Sequence, residues 1–329
     1  MPTSAPSIVY MGTPQFAVAP LRALVEAGLH VAAVVTVPDK PVGRGQRIQP
    51  SAVKVAAQEL GLPVLQPERL RDPLFAEQLR SLKPDLGIVV AFRMLPESIW
   101  ALPRLGTFNL HASLLPQYRG AAPINWAIIN GEKQTGVTTF LLNHQIDTGS
   151  IIEQHHVNID PTDTAGSLHD KLMLAGAPLV VSTAQQLLNG TAIPHAQQTP
   201  AQGQMLNAAP KIFADTCNIN WDNDLHQLHN LIRGLSPYPA AHTQLQLSRN
   251  GQTSTIGLKL LQSHPEVATH SATPGSVSTD GRRTLRVACH DGYLHIDQLQ
   301  PAGKKAMTAE EYLRGMQNAQ LLQMGNFDE

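Results

Sequence analysis

Cysteine is almost missing from this chain: its 329 residues include only Cys217 and Cys289, far apart. Two distant thiols give no disulfide framework and fit a reducing compartment, so a cytoplasmic protein is expected. No apolar run approaches the ~20 residues of a bilayer span, so no membrane partner is expected. The opening MPTSAPSIVYMGTP has no basic segment followed by an apolar one, so no signal peptide is expected either. Charge of one sign is lacking too. The formal net charge is −1, so a nucleic-acid partner would have to be held by local basic patches and not by a strongly positive domain. Fourteen histidines hint at metal, yet there is no H-E-x-x-H and no Cys/His cluster, so no metal is expected. His155-His156 and His226/His229 read as surface residues. Gly12 stands alone in MGTPQFA where a G-x-G-x-x-G fingerprint needs three glycines, which argues against dinucleotide binding.

What is present is the material for two cores. The chain is 42% hydrophobic and 15% charged, and its length suits two domains of ordinary size. In the N-terminal half apolar strands alternate with amphipathic helices. SIVYM reads as a strand, then TPQFAVAPLRALVEAG as a helix with Thr13 as cap, Pro14 first and Gly28 at its end. HVAAVVTV and DLGIVVAF are near-continuous apolar strands of the doubly covered, parallel kind. PSAVKVAAQELG is helical, TGVTTFLL and SIIEQHHVNI resemble a hairpin around NHQIDTG, and a long helix runs from Ala165 to about Leu188. This order predicts an α/β fold: an open, mostly parallel, Rossmann-like sheet with helices on both faces. Residues 189–208, rich in Gly, Pro, Gln and Asn, read as a linker. Beyond it DNDLHQLHNLIRGL is helical, and short alternating segments follow with the spacing of a small β-barrel or sandwich. The expected domains are 1–188, a linker at 189–208, a second domain at 209–316 and a tail at 317–329.

The stretch TFNLHASLLPQYRGAAPINWA holds the chemistry. Its first half alternates like a strand but carries Asn109 and His111 where a buried strand would carry Val or Ile. A period of two puts both on one side near the strand's C-terminal end, where ligands bind in open α/β sheets. From the pair alone a hydrogen-bonded structural role is equally open. The loop Ser113-Leu114-Leu115-Pro116 leaves the strand at once, and such a loop can offer main-chain groups to a flat heterocycle while its leucines line the slot. Asp147, in NHQIDTGS, reads on its own as a turn-stabilising carboxylate.

Taken together, FNLHASLLPQYRGAAPINWAIINGEKQTGVTTF followed by IDTG resembles the signature of the folate-dependent formyltransferases. The resemblance implies that Asn109, His111 and Asp147 surround the formyl group of 10-formyltetrahydrofolate, the co-substrate. It implies further that Phe92, Met94, Leu95, Ser113, Leu114, Leu115 and Pro116 form the folate slot. Formyl transfer is acyl transfer, so an oxyanion must be met by a donor such as the Asn109 amide, and the amine's proton needs a shuttle such as His111. Asp147, hydrogen-bonded to the imidazole, would fix its tautomer. Where the family pattern has Ala-Tyr-Gly, this chain has Ala91-Phe92-Arg93.

Within the family the basic connection TVPDKPVGRGQRIQPSAVK resembles the inserted loop of the branch that formylates methionyl-tRNA. That branch implies initiator Met-tRNA as partner, with Lys40, Arg44 and Arg47 of the loop at the tRNA. LQPAGKKAMTAEEYLRG and the segment from Asn207 resemble its appended OB-like barrel, which would add Lys211, Arg233, Lys304 and Lys305. Residues 209–316 carry only one more basic than acidic residue. The expected protein is a monomeric transferase. Other acceptors in the family (glycinamide ribonucleotide, a sugar-nucleotide amine), hydrolysis of the formyl donor and a non-catalytic RNA-binding role are the competing readings.

Overall fold

The computed structural model describes residues 5–42, 47–198, 205–316 and 319–327. Strand β1 (Ile8–Gly12) leads through one 3₁₀ turn (Gln15–Ala17) to helix α1 (Val18–Glu26). Next come β2 (Val31–Val35), a hairpin of β3 (Lys40–Val42) and β4 (Arg47–Gln49), and α2 (Ala52–Glu59). β5 (Val64–Leu65), α3 (Pro73–Ser81), β6 (Leu86–Val90), α4 (Glu97–Trp100) and β7 (Thr107–His111) follow. Short β8 (Arg119–Gly120) precedes α5 (Pro123–Ile129), the pair β9 (Gln134–Leu141) and β10 (Ile151–Asn158), and α6 (Ala165–Asn189). The remainder holds β11 (Ala208–Ala209), α7 (Leu225–Leu235), β12 (Ala241–Arg249), β13 (Gln252–Val267), β14 (Val277–Thr279) and β15 (Leu285–Cys289). It ends with β16 (Gly292–Pro301), β17 (Met307–Thr308), α8 (Ala309–Arg314) and β18 (Gln320–Gly325). Among the described residues no helix is long and apolar enough to cross a membrane.

Packing divides the chain into two units that interleave in sequence. One comprises Met1–Gly120, Gln134–Asn158 and His169–Ala208; the other comprises Ala121–Lys133, Ile159–Leu168 and Ala209–Glu329. In the first unit, seven strands run in the order β10-β9-β7-β6-β1-β2-β5. The five from β5 to β7 are parallel, and β9 and β10 close one edge antiparallel. The central β1 is buried along its whole length, as expected for a strand covered on both faces. Burying each Val, Ile or Leu of this kind stabilises by roughly 1.5–3 kcal/mol. Chain order reverses between β1 and β6, the arrangement that opens a crevice at the C-terminal strand ends.

The first helix departs from the sequence expectation. Thr13 does not cap it: Thr13 Oγ1 is buried without a partner, and regular helix begins only at Val18. Pro20 supplies the reason. A proline has no N–H for the carbonyl four residues earlier, so it is tolerated only in a first turn. The segment between Pro14 and Val18 therefore takes a 3₁₀ turn closed by Ala17 N–H on Pro14 O at 3.0 Å. Ser51 does cap α2, its hydroxyl accepting from Lys54 N–H at 3.1 Å.

In the second unit the strands β14-β15-β16-β13-β12-β18 form an antiparallel sheet that nearly closes into a barrel. Met324 N–H donates to Gly275 O at 2.8 Å, and Ser276 bridges Gln323, bringing β18 back toward β14. Residues 320–325, a tail by sequence, thus supply a barrel strand. Helix α7 buries Leu225, Leu228, Ile232 and Leu235 against Leu245, Leu260, Leu294 and Leu299. Its other neighbour is α5: Asn125 Nδ2 donates to Gly234 O at 2.7 Å, and a methyl group added at Gly234 would sit 2.6 Å from Ile129 Cγ1.

His229 on α7 is not the surface residue its sequence context suggests. Its ring is half-buried, with Nδ1 3.0 Å from Ser263 Oγ. Burial, and then the neighbouring Arg233 cation, push its pKa down to about 4. In the unfolded chain the ring takes up a proton near ~6.5. Below that pH the unfolded state binds a proton that the folded state refuses. The stability contribution is thus complete above ~6.5 and is lost as pH falls toward the folded value. Discounted for partial solvent access, it is worth roughly 1–2 kcal/mol. His229→Gln is expected to lose less Tm than the wild type between pH 7 and pH 4.5. Parallel losses would remove His229 as the titrating group.

Candidate active site

Asn109 and His111 project from the C-terminal half of β7, opposite Phe140 and Thr138 of β9. His111 is 6% exposed and meets the Phe140 ring edge-on, 6.5 Å between centroids. Its Nε2 lies 2.9 Å from the carbonyl oxygen of Tyr118. A carbonyl only accepts, so the ring proton resides on Nε2 and Nδ1 is left with a lone pair. Nδ1 faces Asp147 Oδ2 at 4.0 Å. That is an ion-pair distance once the ring is protonated, and it is too long for the hydrogen bond expected from sequence. The reason lies with Oδ2, which accepts the Gly120 N–H at 3.0 Å, and with the Tyr118 carbonyl, which fixes the ring's orientation.

Asp147 stands at φ +52 in the turn between β9 and β10. A side-chain-bearing residue in this left-handed region costs roughly 1–2 kcal/mol, so its surroundings must hold it there. Two residues on, Gly149 is packed so closely that an added Cβ would lie 1.6 Å from Leu141 O. Asn109 Oδ1 is closed off from solvent without a hydrogen-bond partner, although the residue as a whole is only half-buried. An acceptor stranded in this way costs about 1–3 kcal/mol.

The loop after β7 is fastened from within. Thr138 Oγ1 donates to Ser113 O at 2.6 Å and accepts from Leu115 N–H at 3.2 Å. Gln154 Nε2 reaches Thr138 Oγ1 at 2.9 Å and Leu115 O at 3.0 Å, and Ser113 Oγ donates to Gln117 O at 2.6 Å. The main-chain groups of Leu115, which the sequence offers to a heterocycle, are therefore committed to the protein itself. Leu115 is buried, whereas Leu114 and Pro116 are only half-buried. On the neighbouring strand end, Phe92 and Leu95 pack on the core around Val89 and Ile99, and Met94 is 74% exposed. Ala91 makes the local turn at φ +46. Arg93 folds back, donating to Pro67 O at 2.7 Å and Glu68 O at 3.1 Å, with its guanidinium 5.5 Å from the Phe92 ring centre.

The basic connection after β2 is a hairpin, with Lys40 paired to Gln49 and Val42 to Arg47. Arg44 lies outside the described residues, and of Arg47 only the backbone is placed. The hairpin's base is anchored by Asp39, which takes Lys54 Nζ at 2.6 Å and Gln66 Nε2 at 2.8 Å. Those two donors, Lys54 first, hold the Asp39 carboxyl below its ordinary range. Lys40, Lys211, Lys304 and Lys305 are exposed. Arg233, expected on the surface as a phosphate contact, is instead 8% exposed, donating to Asn230 Oδ1 at 2.8 Å and Asp163 O at 3.1 Å. Those two acceptors, one a turn earlier on the same helix and one a main-chain carbonyl, hold the guanidinium inward.

Several parts of this site have no clear sign in the sequence. The Tyr118 carbonyl and the Gly120 N–H act through the backbone, which leaves no residue-type signal. Thr138 stands opposite His111 in the antiparallel pairing of β9 with β7, a long-range register that no local sequence pattern marks.

Two family profiles match the chain, Formyl transferase over residues 7–183 and Formyl transferase, C-terminal domain, over residues 211–317. A methionyl-tRNA formyltransferase of Parabacteroides distasonis is 55% identical over 311 residues, covering 94% of this chain and 95% of that protein. One of Bacteroides thetaiotaomicron is 53% identical over 308 residues, with 94% and 95% covered. Among solved structures, an N-formyltransferase of Helicobacter canadensis in complex with folinic acid and dTDP-3-aminofucose superposes with a TM-score of 0.64 at 21% identity. That match covers 88% of this chain and 97% of the other. HypX of Aquifex aeolicus in complex with tetrahydrofolic acid gives 0.60 at 16% identity, over 93% of this chain and 46% of the other.

Proposed function

Because this chain belongs to the formyl transferase family, we propose that it carries the formyl group of 10-formyltetrahydrofolate to the α-amino group of methionyl initiator tRNA. The observation that carries the chemistry is the convergence of Asn109, His111 and Asp147 at one strand end. The acceptor rests on near full-length similarity to methionyl-tRNA formyltransferases. The protein works as a monomer in the cytoplasm on this reading.

The reaction follows from the ring's fixed tautomer. A neutral amine attacks the formyl carbon, forming the new N–C bond while the C=O electron pair moves to oxygen. The Asn109 amide N–H group faces that oxyanion. His111 Nδ1 then takes the amine's proton. The imidazolium so formed sits 4.0 Å from the Asp147 carboxylate, which stabilises its charge. Collapse of the intermediate breaks the bond to folate N10, and His111 returns its proton to that nitrogen, leaving tetrahydrofolate. An aminoacyl ester has no neighbouring carboxylate, so its amine loses a proton more readily than that of the free amino acid. One weak base therefore suffices. The folate lies along Phe92, Met94, Leu95 and the 113–116 loop, where Met94 is exposed and Phe92, Leu95, Leu114 and Pro116 are half-buried.

Four acceptors test the reading in one assay with 10-formyltetrahydrofolate: charged initiator tRNA, charged elongator tRNA, glycinamide ribonucleotide and a dTDP-amino sugar. Product is expected from the first. Product only from the last two would overturn the tRNA acceptor. We further expect the hairpin to meet the tRNA through Lys40, Arg44 and Arg47. Arg44→Ala should raise the KM for tRNA by about tenfold or more, the loss of one charge-assisted contact, and leave the KM for folate alone. An unchanged tRNA KM removes the hairpin from acceptor binding.

A further inference from the structure

We propose that Gln197, in the stretch that reads as a bare linker, is a positioning residue that sets the catalytic turn through Asp147. The inference rests on the assignment of Asp147 above.

Every hydrogen-bonding position of the Gln197 amide is used. Nε2 donates to Asp147 O at 2.8 Å and to Gly149 O at 2.9 Å, spanning the turn that carries the carboxylate. Oε1 accepts from Arg119 Nε at 3.1 Å and from Arg119 Nη2 at 2.5 Å. The orientation of the amide is chemically forced, because carbonyls only accept and a guanidinium only donates. Gln197 is itself fixed: His195, two residues before it, exchanges both main-chain bonds with Ile151, N–H to Ile151 O at 2.9 Å and O from Ile151 N–H at 2.8 Å.

The contacts close a ring. Arg119 grips Gln197, Gln197 grips the backbone of Asp147, and the Asp147 carboxylate grips the Gly120 N–H next to Arg119. Three successive residues thereby serve the site. Tyr118 holds His111 Nε2, Arg119 holds Gln197, and Gly120 holds Asp147. Asp147 keeps its left-handed φ, and Oδ2 its place 4.0 Å from His111 Nδ1, because this ring leaves the turn no relaxed alternative. The Gln197 side chain hydrogen-bonds to Arg119, Asp147 and Gly149, not to His111 or Asn109, so its effect reaches chemistry by way of Asp147.

A glutamate at 197 has the same shape but the wrong bonding. It keeps the Arg119 side of the ring and sets carboxylate lone pairs against two carbonyl oxygens. Gln197→Glu is therefore expected to stay folded and to lower kcat about 10–100-fold, with KM for folate and acceptor within about twofold. Gln197→Ala should act similarly, and should it fold poorly the glutamate variant alone still carries the test. The decisive measurement is a double-mutant cycle with Asp147→Asn. In that background Gln197→Glu should lower kcat by less than about twofold, because the group it positions is already disabled. Full additivity of the two substitutions, or unchanged kcat in Gln197→Glu, overturns the positioning role. Unchanged kcat in Asp147→Asn alone would instead remove the catalytic assignment of Asp147, and is read separately.

Discussion

Replacement of Asn109 by alanine is expected to lower kcat by about 10²–10³-fold while KM for both substrates moves by no more than about threefold. The magnitude is that of one preorganised donor to a tetrahedral oxyanion. The split follows from timing, since the formyl oxygen carries full charge only after attack. Asn109 is held by its strand neighbours Phe140 and Val89, so removing its amide leaves the frame of the site in place. Asn109→Asp sharpens the test: it preserves volume but presents a carboxylate where a donor is required, and it should be no more active than the alanine variant. Steady-state kinetics with saturating folate and varied acceptor separate the two constants. Near-normal kcat in either variant would end the oxyanion role, and a rise confined to KM would make Asn109 a binding residue.

Gly149→Ala should be the most damaging single methyl group in the first unit. The added carbon would fall 1.6 Å from Leu141 O and 3.3 Å from a Phe140 ring carbon. A flexible side chain could step aside, but a carbonyl oxygen in a strand cannot. Leu141 N–H also donates to Ser150 O at 2.9 Å, so the strands must part at their closed end. Overpacking of this kind costs about 3 kcal/mol or more, a loss of roughly 6–12 °C in Tm for a domain of this size. Activity should fall further than stability, because Asp147 lies two residues away in the same turn. A melting curve within about 2 °C of wild type would show that the hairpin end yields, and would remove the argument that Gly149 is required by close approach.

Both halves of the fold were legible because their signals are side-chain patterns. Apolar runs such as Leu86–Val90 marked the doubly covered strands, and alternation in Ala241–Arg249 marked the barrel. The polar pair Asn109 and His111 showed itself by interrupting such a pattern. What stayed hidden has a common physical origin. Tyr118 and Gly120 serve the site through main-chain atoms, which any residue possesses. Gln197 lies in a stretch with no period, where three-dimensional proximity to Asp147 has no sequence counterpart. Pro20 was visible, but its effect on α1 required counting back four residues to the carbonyl it cannot serve. Arg233 was misplaced because a cation's type says nothing about which face of a helix carries it.

The interleaving of the two packing units bears on how such a protein can be recombined. A C-terminal family profile begins at residue 211, yet the body that includes the barrel also takes in Ala121–Lys133 and Ile159–Leu168. Helix α7 rests on α5, a segment from deep within the first half. A chimera joined in the linker would give the new barrel a foreign α5, whose Ile129 counterpart had never been matched to the barrel's own Gly234 counterpart. Heredity cuts this chain at one place and packing at several, so a graft that respects the second boundary must carry both short inserts with it.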